Sequence, residues 1–383
     1  MLLMIHAVLR NGKVLAWYNT FWEARLADVL RLSGVRKSYG DLQALDGIDL
    51  AIPDNTYVSL LGPSGSGKTT LLRVIAGFED PDQGSVALGG RPVDNVQAHR
   101  RGIGFVFQNF ALFPHLSVAG NITYGLENRE VAVLTDRAAI RRKVGEMIEL
   151  VGLAGLEDRG VAQISGGQRQ RVALARTLVT EPRLVLLDEP LGALDANLRA
   201  RMRAELRSIR ERLGVTFLHV TGSESEALAM GDIVLVLDRG RIAQSADADT
   251  IYNRPAAPSV ARFLNCYNLF EGAISGEDFV GPAGSFPIEG STRLAGGKTA
   301  YAVRYDRIQV RPTSSALASD EVGVEAAFIA SEYSGAAVNS FFALDSGQVV
   351  EVETHLSHRP PADYAPQERY GLVWKRDLAL LFA

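Results

Sequence analysis

The stretch Gly62-Pro63-Ser64-Gly65-Ser66-Gly67-Lys68-Thr69-Thr70 decides the fold of this 383-residue chain. It follows the apolar run Tyr57–Leu61, which is typical of a buried strand, and it leads into the helical pattern Thr70–Ala76. Strand, glycine-rich loop and helix in this order match the phosphate-loop pattern G-x-x-x-x-G-K-[ST] in the context that the pattern requires. We therefore expect this loop to bind a nucleoside triphosphate.

The residue types of the loop suit this chemistry. Gly62, Gly65 and Gly67 allow backbone conformations with positive φ and a close approach to phosphate oxygens. The helix that follows adds unsatisfied N–H groups and the positive end of its dipole. Lys68 supplies a point charge for the β- and γ-phosphates, and the Thr69 hydroxyl suits Mg²⁺. The remaining residues of the predicted phosphate site are Pro63, Ser64, Ser66 and Thr70.

The composition indicates a globular protein of two or three domains. A domain of about 150 residues is typical, and 47% hydrophobic residues can form sizeable cores. The formal net charge of −4 gives no support to a nucleic-acid partner, since a domain that contacts phosphodiesters usually has a basic surface. Cys266 is the single cysteine, so it forms no internal disulfide, and we expect a buried structural thiol.

No membrane-spanning or secretory segment is predicted. No apolar run approaches the roughly 18 to 20 residues of a transmembrane helix, so work at a membrane would require partner chains. The first nine residues lack a basic leading region and a small-residue cleavage site, so we expect no signal peptide.

Periodicity divides the chain into four segments. From Leu32 to about Leu237, short apolar runs alternate with helical patterns, which predicts a parallel sheet with crossover helices. After Asn268 the pattern changes to short alternating strands with glycine turns, which favours a small β-barrel. The expected segments are an N-terminal extension of unknown role at 1–30, an α/β domain at 31–245, a linker at 246–267 and a β domain at 268–383.

A second motif, Leu184–Leu187 followed by Asp188 and Glu189, is an apolar strand that ends in two acids. In a parallel sheet such a strand delivers Asp188 to the carboxyl edge, where its carboxylate can hold Mg²⁺ through water. Glu189 is then expected beside the γ-phosphate, where it orients or deprotonates the attacking water. Coupled to the phosphate loop, this Walker B pattern predicts a nucleotide hydrolase.

A third motif begins another helix. The Ser165 hydroxyl, the backbone N–H groups of Gly166 and Gly167, and the dipole of the helix that continues through Gln168 make an anion site without a lysine. Taken alone, Ser-Gly-Gly is also an ordinary turn at the start of a helix.

The string from Gln163 to Arg176 resembles the signature of the ATP-binding cassette family, and the resemblance covers roughly Leu32 to the C-terminus. It implies an α/β fold of the P-loop NTPase type with a helical subdomain at about 105–180. The β segment resembles the OB-like, TOBE-type barrel of ATPase subunits that serve polyamine, ferric iron, sugar and sulfate importers. The implied activity is ATP hydrolysis coupled to solute uptake, with spermidine, putrescine or ferric iron as candidate solutes.

The resemblance also implies roles for further residues. Gln108 resembles the Q-loop glutamine, which would touch Mg²⁺ and the attacking water, while Ala111–His115 would face a permease. Tyr39 resembles the aromatic residue that stacks on adenine. Leu191–Asp195 resembles the D-loop, which places Asp195 near the nucleotide and Gly192 where serine is more usual.

The implied partners follow from the way in which two cassettes of this family share each ATP site. In the family, the Walker motifs of one cassette and the signature of another enclose each ATP, and this chain has one cassette. A complete site would therefore require a second cassette, most simply in a homodimer. Integral permease subunits and a separate solute-binding protein would complete the importer, with this chain as a peripheral subunit at the cytoplasmic face of the cell membrane.

One position departs from the family. After the strand Thr216–Val220 the family has Thr-His-Asp, whereas this chain has Thr221-Gly222-Ser223. His219 lies three residues earlier, on the opposite face of the strand, so we expect a core or strand-surface histidine. The hypothesis is that ATP binding survives and hydrolysis is slowed. A partner cassette with a competent site would make the assembly heterodimeric.

Three functional hypotheses remain at this point. The first is an importer ATPase, and the second is a regulatory cassette with poor hydrolysis. The third is a non-transport ATPase acting on nucleic acid, for which the arginine-rich helix 197–213 is the only support. The regular spacing of Leu198, Met202, Leu206, Ile209 and Leu213 instead predicts a buried stripe opposite a solvated basic face.

Overall fold

The computed structural model describes residues 28–128, 134–192, 194–288, 299–357 and 362–382. Most of the predicted N-terminal extension 1–30 and Ala193 of the predicted D-loop therefore lie outside the described residues. The chain divides into two compact units. The first comprises the described residues up to Ile233 together with Arg239–Ile242, and the second comprises Val234–Asp238 and the described residues from Ala243 onward.

The first unit contains an antiparallel sheet that the sequence analysis did not predict. Its strands lie in the order β2-β1-β4-β5, and β1 pairs with both β2 and β4 in antiparallel register. The expectation of a parallel sheet from Leu32 onward is therefore wrong for this part of the chain. The strands are β1 (Asp28–Tyr39), β2 (Leu42–Pro53), β4 (Gln83–Leu88) and β5 (Arg91–Pro92).

The predicted parallel sheet is confirmed for four strands. They lie in the order β3-β8-β7-β6, and every pairing among them is parallel. All residues of β3 and β8 are buried, which explains why these strands are continuous apolar runs rather than alternating patterns. The strands are β3 (Tyr57–Leu61), β6 (Ile103–Val106), β7 (Leu184–Asp188) and β8 (Thr216–Val220).

Six α-helices accompany these sheets within the described part of the first unit. They are α1 (Lys68–Ala76), α2 (Val118–Glu127), α3 (Arg137–Leu150), α4 (Gly166–Leu178), α5 (Ala196–Leu213) and α6 (Glu224–Met230). The helices α2, α3 and α4 lie between β6 and β7 in the chain, where the resemblance implied a helical subdomain. Single 3-10 turns occur at Ala98–Arg100 and Val161–Gln163.

The middle of the stripe on α5 is buried as predicted, whereas Leu198 is half-buried and the last member is exposed. Met202, Leu206 and Ile209 are buried in the core, whereas 44% of Leu213 is exposed. Leu213 is the last residue of the helix and precedes Gly214, whose φ of 62° ends the helix. The helix ends at this point, which leaves the side chain partly open to solvent.

The second unit consists mostly of antiparallel strands. Ten strands form two five-stranded sheets, in the orders β13-β12-β11-β14-β20 and β15-β19-β16-β17-β18. Those of the first sheet are β11 (Tyr267–Ser275), β12 (Asp278–Gly281), β13 (Gly284–Pro287), β14 (Thr299–Arg304) and β20 (Leu380–Phe382). Those of the second are β15 (Gln309–Pro312), β16 (Glu321–Tyr333), β17 (Ala337–Ala343), β18 (Val349–His355) and β19 (Arg369–Lys375).

Four further elements precede these sheets in the chain. They are β9 (Ile233–Asp238), β10 (Arg241–Ala246), α7 (Ala248–Asn253) and α8 (Pro258–Phe263). Single 3-10 turns at Tyr305–Arg307 and Arg376–Leu378 follow within the β region. No helix in the described ranges is both long and apolar enough to cross a bilayer.

Aromatic side chains form the core of the second unit. Phe270 and Trp374 stack with ring centroids 6.2 Å apart, and the Trp374 indole N–H donates to the Tyr301 hydroxyl at 2.9 Å. Cys266 lies nearby in the chain and is half-buried rather than fully buried. Burial raises the pKa of its thiol to about 12, so this cysteine is protonated and unreactive at neutral pH.

Candidate functional site

The parallel sheet brings four predicted segments to one edge. Leu60 of β3 and Asp188 of β7 both pair with Val220 of β8, and Val106 of β6 pairs with Leu187. All four strands therefore end at nearly the same level. The residues that follow them, Gly62, Gln108, Glu189 and Gly222, meet at the carboxyl edge of the sheet, where ligands of α/β proteins bind.

The phosphate loop has the conformation that its glycines predict. Gly65 and Gly67 have φ values of 80° and 104°, which side-chain-bearing residues rarely adopt. A Cβ atom at Gly67 would lie 2.3 Å from the carbonyl oxygen of Ala44, so only glycine fits there. A Cβ atom at Gly65 would meet nothing within 4 Å, so this face of the loop is open.

Lys68 begins helix α1 and lies against the loop. Its Nζ donates to the carbonyl oxygens of Gly62 at 2.7 Å and Pro63 at 2.9 Å. Burial lowers the pKa of its ammonium group, while the charges of Glu189 and Asp188 oppose that shift. The Ser66 hydroxyl is buried and has no hydrogen-bond partner among the described residues. A desolvated cation and an unpaired hydroxyl are what an anionic ligand would satisfy.

Asp188 ends β7 in a site that favours a bound cation. Burial raises the pKa of its carboxyl, and the adjacent Glu189 charge raises it further, while Arg73 and Lys68 act in the opposite direction. A divalent cation would relieve this repulsion, and carboxylate and hydroxyl oxygens are ligands that Mg²⁺ prefers. Thr69 is exposed in the first turn of α1, and Thr70 follows it half-buried. The oxygen donors present therefore fit Mg²⁺.

The two residues predicted to act on water contact each other. The Gln108 side-chain amide donates to Oε2 of Glu189 at 3.0 Å, across 81 residues of sequence. Glu189 has a φ of 46°, and its backbone N–H donates to the Val220 carbonyl at 3.0 Å. A non-glycine residue in this conformation is strained, and such strain is common at functional sites.

The predicted signature residues form the start of α4. Ser165 is the N-cap, and its hydroxyl accepts the Gln168 N–H at 3.3 Å, while the Gln168 side chain accepts the Ser165 N–H at 2.8 Å. A Cβ at Gly167 would lie 3.0 Å from Leu198, whereas Gly166 has no neighbour closer than 3.9 Å. Within the described ranges, no hydrogen bond joins these residues to the phosphate loop.

Two further predicted residues lie beside these elements. Tyr39 ends β1 with 43% of its surface exposed, and it pairs with Leu42, two residues before the Ala44 carbonyl that contacts Gly67. Asp195 is the N-cap of α5, and its Oδ1 accepts the Leu198 N–H at 2.9 Å. One carboxylate oxygen of Asp195 is thus engaged in capping.

Comparison with known proteins assigns the family. Residues 45–192 match the model of the ABC transporter family. The uncharacterized ABC transporter ATP-binding protein YdcT of Escherichia coli is 38% identical over 91% of this chain and 96% of its own length. This chain belongs to the ABC transporter family.

Other relatives of this ABC protein have names that specify import. The sulfate/thiosulfate import ATP-binding protein CysA of Caulobacter vibrioides is 44% identical, over 80% of this chain and 87% of its own. The spermidine/putrescine import ATP-binding protein PotA of Rubrobacter xylanophilus is 43% identical, over 76% of this chain and 79% of its own length. A dimeric structure of the ATP-binding cassette MJ0796 with ADP and Pi aligns with a TM-score of 0.52 and 30% identity, covering 57% of this chain and 98% of that one.

At Gly222 the ABC cassette lacks the histidine that the resemblance leads one to expect. Gly222 is exposed, and a Cβ atom there would meet nothing within 4 Å. The turn is held from behind, because Thr221 Oγ1 accepts the Ser223 N–H at 3.0 Å and donates to the buried Glu226 carboxylate. Two hydrogen bonds therefore hold the turn, and the direction in which a side chain at position 222 would start is open.

The sequence analysis missed a buried polar network behind this turn. The Tyr57 hydroxyl lies 2.9 Å from Nδ1 of His219, and Nε2 of His219 lies 3.7 Å from Oε2 of Glu226. His219 is fully buried, so its interpretation as a core histidine is confirmed, and burial lowers the pKa of its imidazole to about 3. Burial also raises the pKa of Glu226. The one available signal was a histidine inside an otherwise apolar strand.

This histidine makes the stability of the ABC cassette sensitive to acid. Between pH 6.5 and about 3 the unfolded chain binds a proton at His219 that the folded chain does not bind. The stability that neutral His219 contributes is therefore fully present above pH 6.5. Between pH 6.5 and about 3, the free energy of unfolding falls by about 1.4 kcal/mol for each pH unit of acidification. Glu226 acts in the opposite direction, because its folded-state pKa is raised.

Replacement of His219 by asparagine isolates this effect. Between pH 7.5 and 5.0 we expect the wild type to lose about 2 kcal/mol more than His219→Asn, as measured by urea unfolding with circular dichroism. Because Glu226 lies 3.7 Å from His219, the comparison is repeated in a Glu226→Gln background, where the titration of Glu226 does not contribute. An identical pH dependence in the two proteins would contradict the assignment of His219 as a neutral core residue.

Proposed function

We propose that this chain is the ATP-hydrolysing subunit of an importer. The observation that carries the proposal is the contact of 3.0 Å between Gln108 and Glu189 at the sheet edge that also bears the phosphate loop. A nucleotide-binding protein without hydrolysis needs the loop alone. An amide and a carboxylate held together beside the loop are suited to positioning a water molecule.

The proposed ATP site uses residues from the described loop and its surroundings. The backbone of 62–67 and the Lys68 ammonium would hold the phosphates, and the exposed Tyr39 ring would stack on adenine. Lys68 exchanges the carbonyl oxygens of its own loop for phosphate oxygens. Bound Mg²⁺, held by Thr69, Gln108 and Asp188, would neutralise charge on the phosphates.

Within this site Glu189 is the proposed general base. Its carboxylate would accept a proton from water, and the Gln108 amide keeps the carboxylate in place. Glu189 directly follows β7, and its backbone has a φ of 46°, so the residue lies at the carboxyl edge of the sheet. The two residues therefore act as one preorganised pair.

The proposed assembly contains two cassettes. The signature turn Ser165–Gln168 has its own helix start, yet it forms no hydrogen bond to the phosphate loop in the described residues. A second chain in head-to-tail orientation would place this turn, together with Asp195, against the ATP of its partner. The solved structure of the cassette MJ0796 is dimeric and contains ADP and Pi, which supports an assembly of two cassettes.

Exposed aromatic residues support a membrane permease as the further partner. Phe78, Phe107 and Tyr124 are 49%, 38% and 42% exposed, and Phe78 and Phe107 stack with centroids 5.9 Å apart. They flank the segment Ala111–His115, which the family resemblance assigns to permease contact. We therefore place the chain peripherally at the cytoplasmic face of the cell membrane, with a separate solute-binding protein completing the importer.

The proposal extends to the domain boundaries and the solute. The boundaries are those of a cassette at 31–245 with a helical subdomain at 105–180, a linker at 246–267 and a TOBE-like, OB-type barrel at 268–383. The two antiparallel sheets of the second unit support the last assignment. Relatives are named for sulfate and for polyamine import, which supports an importer whose solute is selected by its permease and binding protein.

Gly222 favours one alternative, a cassette that binds ATP and hydrolyses it poorly. A Cβ atom at Gly222 would meet nothing within 4 Å, and His219 is fully buried, so neither position supplies an imidazole to the site. In this alternative, closure of the dimer on ATP regulates the assembly, and turnover is slow.

Reconstitution with a permease and a solute-binding protein, sought among the neighbouring genes, tests the proposal. We expect two copies of the chain to co-purify with the permease, and we expect solute uptake into vesicles to require internal ATP. Lys68→Ala is expected to keep permease binding and to abolish uptake, because the phosphate charge loses its partner. Copurification without hydrolysis in a single turnover would support the regulatory alternative. Absence of permease binding would reject both.

A further inference from the structure

One arginine joins the signature helix to the segment that follows Gln108. Arg176 of α4 donates through Nη1 to the Ala111 carbonyl at 2.7 Å and through Nη2 to the Phe110 carbonyl at 3.0 Å. Its guanidinium carbon lies 5.4 Å from the centroid of the Phe113 ring. A single side chain therefore contacts three residues that are more than 60 positions away in the sequence.

The segment that Arg176 contacts has a strained backbone. Phe110 and Ala111 have φ values of 64° and 44°, in the left-handed region that non-glycine residues seldom occupy. Consecutive residues in this conformation persist only where the surroundings hold them. The planar guanidinium fork, which donates to both carbonyl groups, provides such a constraint.

The same segment is attached at its other end to the proposed catalytic pair. Gln108 donates to Glu189, while the buried Asn121 accepts the Phe113 N–H at 2.8 Å. We call residues 108–113 the link. Its first residue is hydrogen-bonded to Glu189, and its later residues are hydrogen-bonded to Arg176 and Asn121. A displacement of this link would therefore disturb its hydrogen bonds to Glu189, Arg176 and Asn121.

We propose that Arg176 is a positioning residue that couples this link to the signature helix α4. Through it, the link keeps Gln108 aligned with Glu189, and a displacement of Ala111–His115 by a permease reaches Ser165–Gln168 along the rigid helix. The coupling role rests on the proposed function, because the proposed function assigns hydrolysis to Glu189 and permease contact to Ala111–His115. The positioning of the link by Arg176 is independent of that assignment.

Two substitutions at Arg176 test the coupling by kinetics. Arg176→Met keeps the aliphatic length and removes both hydrogen bonds, and Arg176→Lys keeps the charge and loses the fork. We expect kcat for ATP hydrolysis to fall about three- to thirtyfold in Arg176→Met, with KM within about twofold and Arg176→Lys intermediate. Rates are normalised to the number of chains that bind ATP, so that loss of folded protein does not enter.

A matched control comes from α5. Arg207 donates to the Ala229 carbonyl at 3.0 Å and lies outside the proposed site, so Arg207→Met should retain the wild-type kcat and KM. An unchanged kcat in Arg176→Met would overturn the proposal. A rise in KM that accounts for the whole effect would also overturn it, because Arg176 would then act in nucleotide binding.

Amide hydrogen exchange separates positioning from a general structural role. It is measured on the full chain without nucleotide or permease, so it remains informative even if the proposed function fails. In Arg176→Met we expect exchange to increase about tenfold in peptides that cover 109–113, with α4 and β7 unchanged. Increased exchange throughout α4 would assign Arg176 to helix stability alone and would overturn the positioning role.

Discussion

Replacement of Glu189 by glutamine is expected to reduce ATP hydrolysis by about 10²–10³-fold while ATP binding stays within a few-fold of the wild type. The amide has the same shape as the carboxylate, so it preserves the backbone turn at φ 46° and a hydrogen bond with Gln108. What it loses is the capacity to accept a proton from water. Single-turnover hydrolysis and equilibrium binding of ATP measure the two quantities separately.

Glu181→Gln is a suitable control for this substitution. Glu181 is also a glutamate with positive φ, at 56°, and it is exposed with its carboxylate 2.6 Å from the Lys143 ammonium. Loss of this surface ion pair is expected to leave hydrolysis unchanged. Equal rates for Glu189→Gln and the wild type would remove Glu189 from the catalytic role, and the proposed hydrolase would then lack its base.

Introduction of histidine at Gly222 is expected to accelerate hydrolysis by about 10²-fold, because a preorganised charge-stabilising group is restored. The site can accept the side chain, since Gly222 has open space in the Cβ direction and lies on a turn that Thr221 and Glu226 hold in place. Steady-state ATPase assays of both proteins at saturating ATP measure the effect. The starting rate of the wild type distinguishes the importer from the regulatory alternative.

Gly222→Ala separates the imidazole from the change in backbone freedom. The alanine methyl group also fits without a contact, so this variant is expected to match the wild type. The double variant Gly222→His, Glu189→Gln should lose the gain, because the imidazole supports a reaction that needs the base. If Gly222→His has the wild-type rate, the missing histidine does not limit hydrolysis in this cassette.

Local patterns were sufficient to predict much of the site. Three motifs were predicted in this way: the phosphate loop, the Walker B strand and the signature turn. Each consists of adjacent residues whose types favour the conformation observed, such as Gly67 with positive φ and Ser165 as an N-cap. The parallel direction of β3, β6, β7 and β8 also follows from apolar runs that alternate with helices, although the order in which these strands pair does not. Family membership was likewise readable from these motifs, and the comparisons confirm it.

Contacts between distant segments were not predictable in this way. The antiparallel pairing of β1 with β4 depends on where the chain returns after α1, and no short pattern records that path. The Tyr57–His219 hydrogen bond joins residues 162 positions apart. The contacts of Arg176 join a helix of ordinary amphipathic pattern to a segment whose backbone strain has no sequence signal.

The sequence alone determined that this chain carries one phosphate loop, one Walker B strand and one signature turn, because each of these is a local match between residue type and backbone conformation. The tertiary structure alone decided that the Gln108 amide meets the Glu189 carboxylate and that the space at Gly222 is open. It also decided that Arg176 of α4 is hydrogen-bonded to the link 108–113. The physical reason is the register of the parallel sheet. Hydrogen bonds between strands align the ends of β3, β6, β7 and β8, and this alignment brings together side chains that the sequence keeps far apart.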